Sequence, residues 1–285
     1  MRDKFFGVVE GFYRKPYTFR ERRELVAFLA DIGLNTYVYG PKNDVYHRAK
    51  WQRLYPRSIL KQFENLVKIC KKRSIWFNYA LSPVVEADTE RVVKKINSLV
   101  NIGVDHFSLF FDDIKVELSQ KTADAQVTIA NELLSFLRRN ISDPVLLFCP
   151  TQYRGFLETE YLKTVANTLE EDVLVLWTGK HVVSKKITVF DVDKITKILK
   201  RNPLIWDNIF ANDYIPGMIL NFPYRHREPE IVERVKGILI NPMNHYEKSK
   251  PLIYTAAKFF KRPHDYIPRE AWREARQILG SSNKS

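Results

Sequence analysis

The chain has 285 residues, 45% of them apolar and 13% aromatic, and its 46 Lys and Arg against 33 Asp and Glu give a formal net charge of +13. This content supports a large core, either one α/β barrel or two smaller domains. It excludes a disulfide scaffold, because only Cys70 and Cys149 occur, and a helical membrane span, because no apolar run approaches ~20 residues.

From the N-terminus, MRDKFFGVVEGFY has neither the apolar stretch nor the small-residue cleavage site of a signal peptide, so a cytoplasmic location is expected. Continuous or alternating apolar runs then predict strands at FFGVVE 5–10, NTYVYG 35–40, IWFNYA 75–80, HFSLFF 106–111, VLLFCP 145–150, VLVLWT 173–178, LIWDN 204–208 and GILIN 237–241. Amphipathic segments separate them, among them TFRERRELVAFLADIG, residues 123–140 and residues 192–202. Residues 215–234, with their prolines and Gly217, predict a loop before a short helix. Strand-then-helix alternation with connections too long for hairpins implies parallel strands and right-handed crossovers. Eight such units predict a single-domain (β/α)8 barrel over residues 1–285, with a disordered tail from about 280.

Both cysteines lie in apolar contexts and read as buried thiols, and the six histidines show no metal-ligand spacing. The charge raises nucleic acid as a partner, but the positive clusters RERR 20–23, KKR 71–73, SKK 184–186 and YRHR 224–227 are short and interrupted by acids. A solvated surface is expected of them.

In a barrel of this type, active sites are built where strands end and the following loops begin. HFSLFFDDIKVE runs from a strong strand directly into Asp112 and Asp113. Other strand ends carry Glu10 and Gly11, Lys42 and Asn43, Asn78, Tyr153, Trp206 to Asn208, Asp213 and Asn241. Carboxylates and amides that bind hydroxyls, next to aromatic faces that stack on pyranose C–H groups, point to a sugar. Glu10, Asn78 and Asp207 can equally be satisfied polar groups of the barrel itself.

At these residues the chain resembles the catalytic barrel of glycoside hydrolase family 84, the O-GlcNAcase and bacterial β-N-acetylglucosaminidase family. The matching stretches are GVVEGFY 7–13, LNTYVYGPKND 34–44, LFFDDI 109–114, LFCPTQY 147–153, VLWTG 175–179, VVSKKI 182–187, IWDNIFANDY 205–214 and GILINP 237–242, in order over nearly the whole chain. The resemblance implies a retaining exo-β-N-acetylglucosaminidase in which the substrate's acetamide is the nucleophile and an oxazoline the intermediate. Asp112 would orient the acetamide N–H and Asp113 would act as general acid and base. Repulsion between the adjacent acids is expected to leave one of them protonated near neutral pH.

By the same resemblance Tyr153 would meet the acetamide oxygen, Trp206 would wall the acetyl pocket and Asn208 would support the acetamide. Asp213 and Asn241 would hold the C4 and C6 hydroxyls, while Gly11 and Lys42 would border C3. No metal or organic cofactor is implied. The partner implied is terminal β-linked N-acetylglucosamine on glycoproteins or glycan fragments, with no membrane. Four positions depart from the family: Arg14 and Tyr17 replace its usual glycine and tryptophan, Asn43 replaces the first aspartate of its PKDD, and Phe210 replaces the histidine before ANDY. Effects on selectivity and entrance width are expected. The helical or binding domains that many members append are not expected within these 285 residues. The alternatives are an inactive N-acetylglucosamine-binding protein and a basic nucleic-acid-binding protein.

Overall fold

Eight parallel strands close on themselves in the computed structural model, which describes residues 4–83 and 88–281. They are β1 Phe5–Glu10, β2 Thr36–Tyr39, β3 Trp76–Leu81, β4 His106–Phe110, β5 Val145–Cys149, β6 Leu174–Trp177, β7 Leu204–Asp207 and β8 Gly237–Ile240. Each pairs with the next, and β1 pairs with β8 from Phe5 opposite Gly237 to Val8 opposite Ile240, which removes every sheet edge. All eight expected strands form, each within one residue of the expected bounds at either end.

The surrounding helices are α1 Phe19–Asp31, α2 Arg57–Lys72, α3 Thr89–Val100, α4 Gln120–Asn140, α5 Glu160–Thr168, α6 Val189–Leu199, α7 Ile231–Arg234, α8 Tyr246–Lys261 and α9 Pro268–Ser281. Side-chain caps fix many of their starts and so bound the loops before them. Thr18 with Glu21, and Thr188 with Asp191, make reciprocal cap bonds, and Asp88, Ser119 and Thr159 cap α3, α4 and α5. Ser119 starts α4 three residues before the expected position. The Thr188 cap and a left-handed Lys200 (φ 55°) displace the helix expected at 192–202 to Val189–Leu199.

Only Ile231–Arg234 is helical within 215–234, as expected. Helix α9 lies beyond the eightfold alternation and is tied to α8 by Tyr254 donating to Glu274 (2.6 Å) and by a Lys258–Glu274 ion pair (3.0 Å). Residues 282–285, where most of the expected disordered tail falls, lie outside the described residues. No helix among the described residues is long and apolar enough to cross a membrane.

Two apolar layers result. One lies between strands and helices; the other includes Val9, Val38, Ala80, Phe110, Leu147, Cys149, Leu176, Trp206 and Leu239 from within the barrel. Glu10, Asn78 and Asp207 are structural. Glu10 takes a bidentate pair from Arg22 (2.9 and 2.8 Å), Asp207 takes one from Arg227 (2.7 and 2.6 Å), and Asn78 donates to the Phe107 carbonyl (2.9 Å). Arg22 and Arg227 come from the RERR and YRHR clusters. In the other clusters Arg73 pairs with Asp31 and Lys186 with Glu228, so the basic runs do not assemble into one groove.

Lys95 is a buried cation under the Tyr55 ring (4.0 Å), with its ammonium on the Arg53 carbonyl. Burial pulls it from 10.5 to about 8. The unfolded chain therefore binds more protons than the folded one between these values, and stability contributed through Lys95 rises with pH across that window. The wild type should gain about 3 kcal/mol relative to Lys95→Met between pH 8 and 10.5 in denaturant titrations. Parallel pH profiles for the two proteins would contradict this.

Candidate active site

The C-terminal strand ends open on a pocket of about 390 Å³. Asp112, Asp113, Gly11, Lys42, Tyr153, Trp206, Asn208, Asp213 and Asn241 all line it, together with Tyr13, Cys149, Thr178, Val182, Val183, Ala211 and Tyr214. Barrel closure brings these residues together from seven of the eight strand ends.

Lys42 follows β2 and Asp112 follows β4. Their charges meet as a buried ion pair between the Lys42 ammonium and Asp112 Oδ2, with the ammonium 5.3 Å from the Phe110 ring and 5.4 Å from the Trp206 ring. Asp112 Oδ1 is buried and has no hydrogen-bond partner among the described residues, and the same holds for Trp206 Nε1. His47 is buried nearby with Nδ1 2.7 Å from the Ala80 carbonyl; burial and the Lys42 charge push it down to about 3, so it is neutral.

Asp113 turns away from its neighbour. Its φ of 54° is left-handed, a conformation that costs a non-glycine residue about 1 kcal/mol or more. Arg48 secures the turn by donating to the carbonyls of Asp112 (3.2 Å) and Asp113 (3.1 Å). The Asp113 carboxylate accepts from the Tyr153 hydroxyl at Oδ1 (2.8 Å) and from the Tyr13 hydroxyl at Oδ2 (2.9 Å). Burial alone would raise this carboxyl, but the Tyr153 phenol, Lys42, the Tyr13 phenol and Arg48 outweigh it and hold the group below its usual range. Burial and the charge of Asp113 push both phenols up, so they remain donors. The protonation expected from repulsion between the acids is therefore not found at Asp113. Cations and phenols govern this carboxyl.

The amides form a supporting chain. Gly11 N–H donates to Asn241 Oδ1 (3.2 Å), Asn241 Nδ2 to Asn208 Oδ1 (2.8 Å), and Asn208 Nδ2 to the Val182 carbonyl (2.8 Å). A Cβ on Gly11 would lie 2.2 Å from Trp206 Cζ2, so only glycine fits there. Asp213 Oδ2 accepts the Tyr13 N–H (2.7 Å), tying the β7 loop to the β1 loop.

Sequence reasoning missed Tyr13 and Arg48. Tyr13 stands in the GVVEGFY stretch just past a strand end, which is a usable signal; Arg48 lies in an irregular loop and offers none. Cys149 was expected to be a buried thiol, and it is, but it also lines the pocket. Two family departures prove to be core residues, away from the entrance. Tyr17 is buried with its hydroxyl on the Met243 carbonyl (2.5 Å), and Phe210 packs against Phe222 and Tyr224. The other two meet each other at the rim, where Arg14 N–H donates to Asn43 Oδ1 (3.0 Å). Among the described residues no group of three or more His, Cys, Asp or Glu side chains is placed to hold a metal ion.

A closed (β/α)8 barrel whose mouth carries paired acids, amides and aromatics is the architecture of a sugar-processing site. The β-N-acetylglucosaminidase family model matches residues 6–285, and the chain belongs to that family. Protein O-GlcNAcase of Rattus norvegicus is 37% identical over 275 residues, 90% of this chain and 30% of that protein, and Protein O-GlcNAcase of Mus musculus gives the same figures. The structure of an O-GlcNAc hydrolase mutant of Thermobaculum terrenum matches with a TM-score of 0.93 and 32% identity, covering 97% of this chain and 63% of that one. The chain thus spans about 30% of the curated relatives and less than two thirds of the solved structure.

Removing either phenol should release the Asp113 carboxyl upward. In Tyr13→Phe and Tyr153→Phe the Asp113 titration midpoint, followed by carboxyl carbon NMR, should rise in each variant. An unmoved midpoint in both variants would show that the phenols do not set the charge of the acid.

Proposed function

We propose that this pocket hydrolyses terminal β-linked N-acetylglucosamine on glycoproteins or glycan fragments, with retention and with the substrate's acetamide as nucleophile. What carries the reading is the division between the two acids: Asp112 has one oxygen on Lys42 and the other buried with no partner among the described residues, while Asp113 stands among phenols. An anion fixed in this way accepts the acetamide N–H and stabilises the charge that develops as the carbonyl oxygen attacks the anomeric carbon. Asp113 protonates the departing oxygen and then removes a proton from the water that opens the oxazoline. Consecutive acids suit this route better than one with an enzymic nucleophile, which needs carboxylates ~5–5.5 Å apart across the scissile bond.

In the free pocket Asp113 is held in its anionic form, so it must gain proton affinity when substrate enters. Tyr153 supplies the means. Moving its hydroxyl from Asp113 to the acetamide oxygen removes one group that holds the carboxyl down. Trp206 walls the acetyl group and Asn208 steadies the acetamide side. Asp213 and Asn241 take the C4 and C6 hydroxyls, and Gly11 and Lys42 border C3. The route uses no metal or organic cofactor. We place the activity in the cytoplasm and in a single catalytic unit formed by residues 1–285.

An aryl β-N-acetylglucosaminide should turn over in the presence of EDTA with retained configuration. Asp113→Ala should lose roughly 10²–10⁴-fold on an alkyl leaving group and far less on an activated aryl one, with azide restoring part of the latter. Asp112→Ala should slow both classes alike. If the leaving-group dependence appears in the Asp112 variant alone, the two roles are reversed; a wild type inert on every β-N-acetylglucosaminide sinks the proposal.

A further inference from the structure

The two phenols that grip Asp113 share a feature that the mechanism leaves unused: each is followed directly in the chain by an exposed arginine, Arg14 after Tyr13 and Arg154 after Tyr153. Neither arginine makes an ion pair with an acid among the described residues. Arg14 holds a left-handed conformation (φ 73°) at a position where the family's usual residue is glycine. It is anchored by its N–H on Asn43 and by its Nε on the Asp213 carbonyl (2.5 Å). A bulky side chain is thus kept, against its backbone preference, at the pocket rim next to the Tyr13 phenol that meets Asp113.

Since the proton donor must touch the departing oxygen, the aglycone leaves the pocket past Tyr13 and Tyr153, the two residues that Arg14 and Arg154 directly follow. The loops after β5 and β7 present apolar side chains to solvent: Leu157 beyond Arg154 is 71% exposed and Tyr214 beyond Asp213 is 55% exposed. The exposed aliphatic Leu157 suits an amino-acid side chain better than a hydroxyl-covered sugar. Glu117 and Glu158 lie further along their loops and do not follow a phenol.

We propose, resting on the glycosidase reading above, that Arg14 and Arg154 select aglycones that are acidic polypeptides, through carboxylates close to the glycosylated residue. Rim cations of this kind act mainly through steering and screened attraction, so the preference weakens as salt rises.

The test uses peptides carrying S-linked N-acetylglucosamine, which resist hydrolysis, with acidic or neutral flanking residues, titrated calorimetrically into the whole protein. The acidic peptide should bind about tenfold more tightly at low ionic strength. The ratio should fall toward one in Arg14→Gly with Arg154→Gln, survive in Arg154→Lys, and shrink on going from about 50 to about 300 mM salt. Equal affinities in the wild type overturn the proposal, as does an unglycosylated acidic peptide binding equally well. A carboxylated saccharide aglycone that gains as much from the two arginines overturns the choice of polypeptide. Because the readout is binding, an aryl glycoside left intact by the same preparation would count against the hydrolytic reading alone.

Discussion

The ammonium of Lys42 and the carboxylate of Asp112 meet across the mouth of the barrel, both buried, with the cation set over Phe110 and Trp206. Taking two charges out of water costs several kcal/mol per ion, and removing one partner of such a pair typically costs 3–5 kcal/mol. What makes the arrangement tolerable is the closed barrel, which holds the ends of β2 and β4 at a fixed separation with only β3 between them. The pair leaves Asp112 one oxygen with no partner among the described residues. It also sends positive charge toward Asp113, where Lys42 helps to outweigh the cost of burial.

Around this centre the polar groups divide into those that hold and those left available. Glu10 and Asp207 are each locked by an arginine, and the Gly11–Asn241–Asn208 chain links the ends of β1, β8 and β7. Rigid surroundings allow a strained turn at Asp113 to persist, with Arg48 bonded to the carbonyls on both sides of it. Consecutive side chains thereby enter different environments. Asp112 lies against a cation in the buried wall, whereas Asp113 stands nearer the opening between two hydroxyl groups whose hydrogen bonds can be redirected.

Strands were legible because a barrel strand is buried on both faces and reads as an unbroken apolar run, as LFF and VLLFC do. The acids were legible because they follow such runs directly. Partners were not. Lys42 and Asp112 are 70 residues apart, and no local pattern joins them. Arg22 sits in a run of charges that resembles solvated surface, yet it is buried on Glu10 because its helix turns that one position toward β1. Tyr17 and Phe210 looked like entrance residues from their places in the motifs; their neighbours in space, Met243 and Tyr224, put them in the core. Helix ends followed cap chemistry more closely than hydrophobic period, as Ser119 and Thr188 show.

In the proposed mechanism the oxygen of the substrate's own acetamide attacks the anomeric carbon while Asp112 holds the N–H. The most direct measurement is kcat/KM for aryl 2-acetamido glycosides whose acetyl methyl carries none, one, two or three fluorines, with leaving group and pH held constant. Each fluorine withdraws electron density from the attacking oxygen without touching the leaving group. A steep, regular fall across the series is expected. A flat series would contradict it and assign the attack to a nucleophile of the protein.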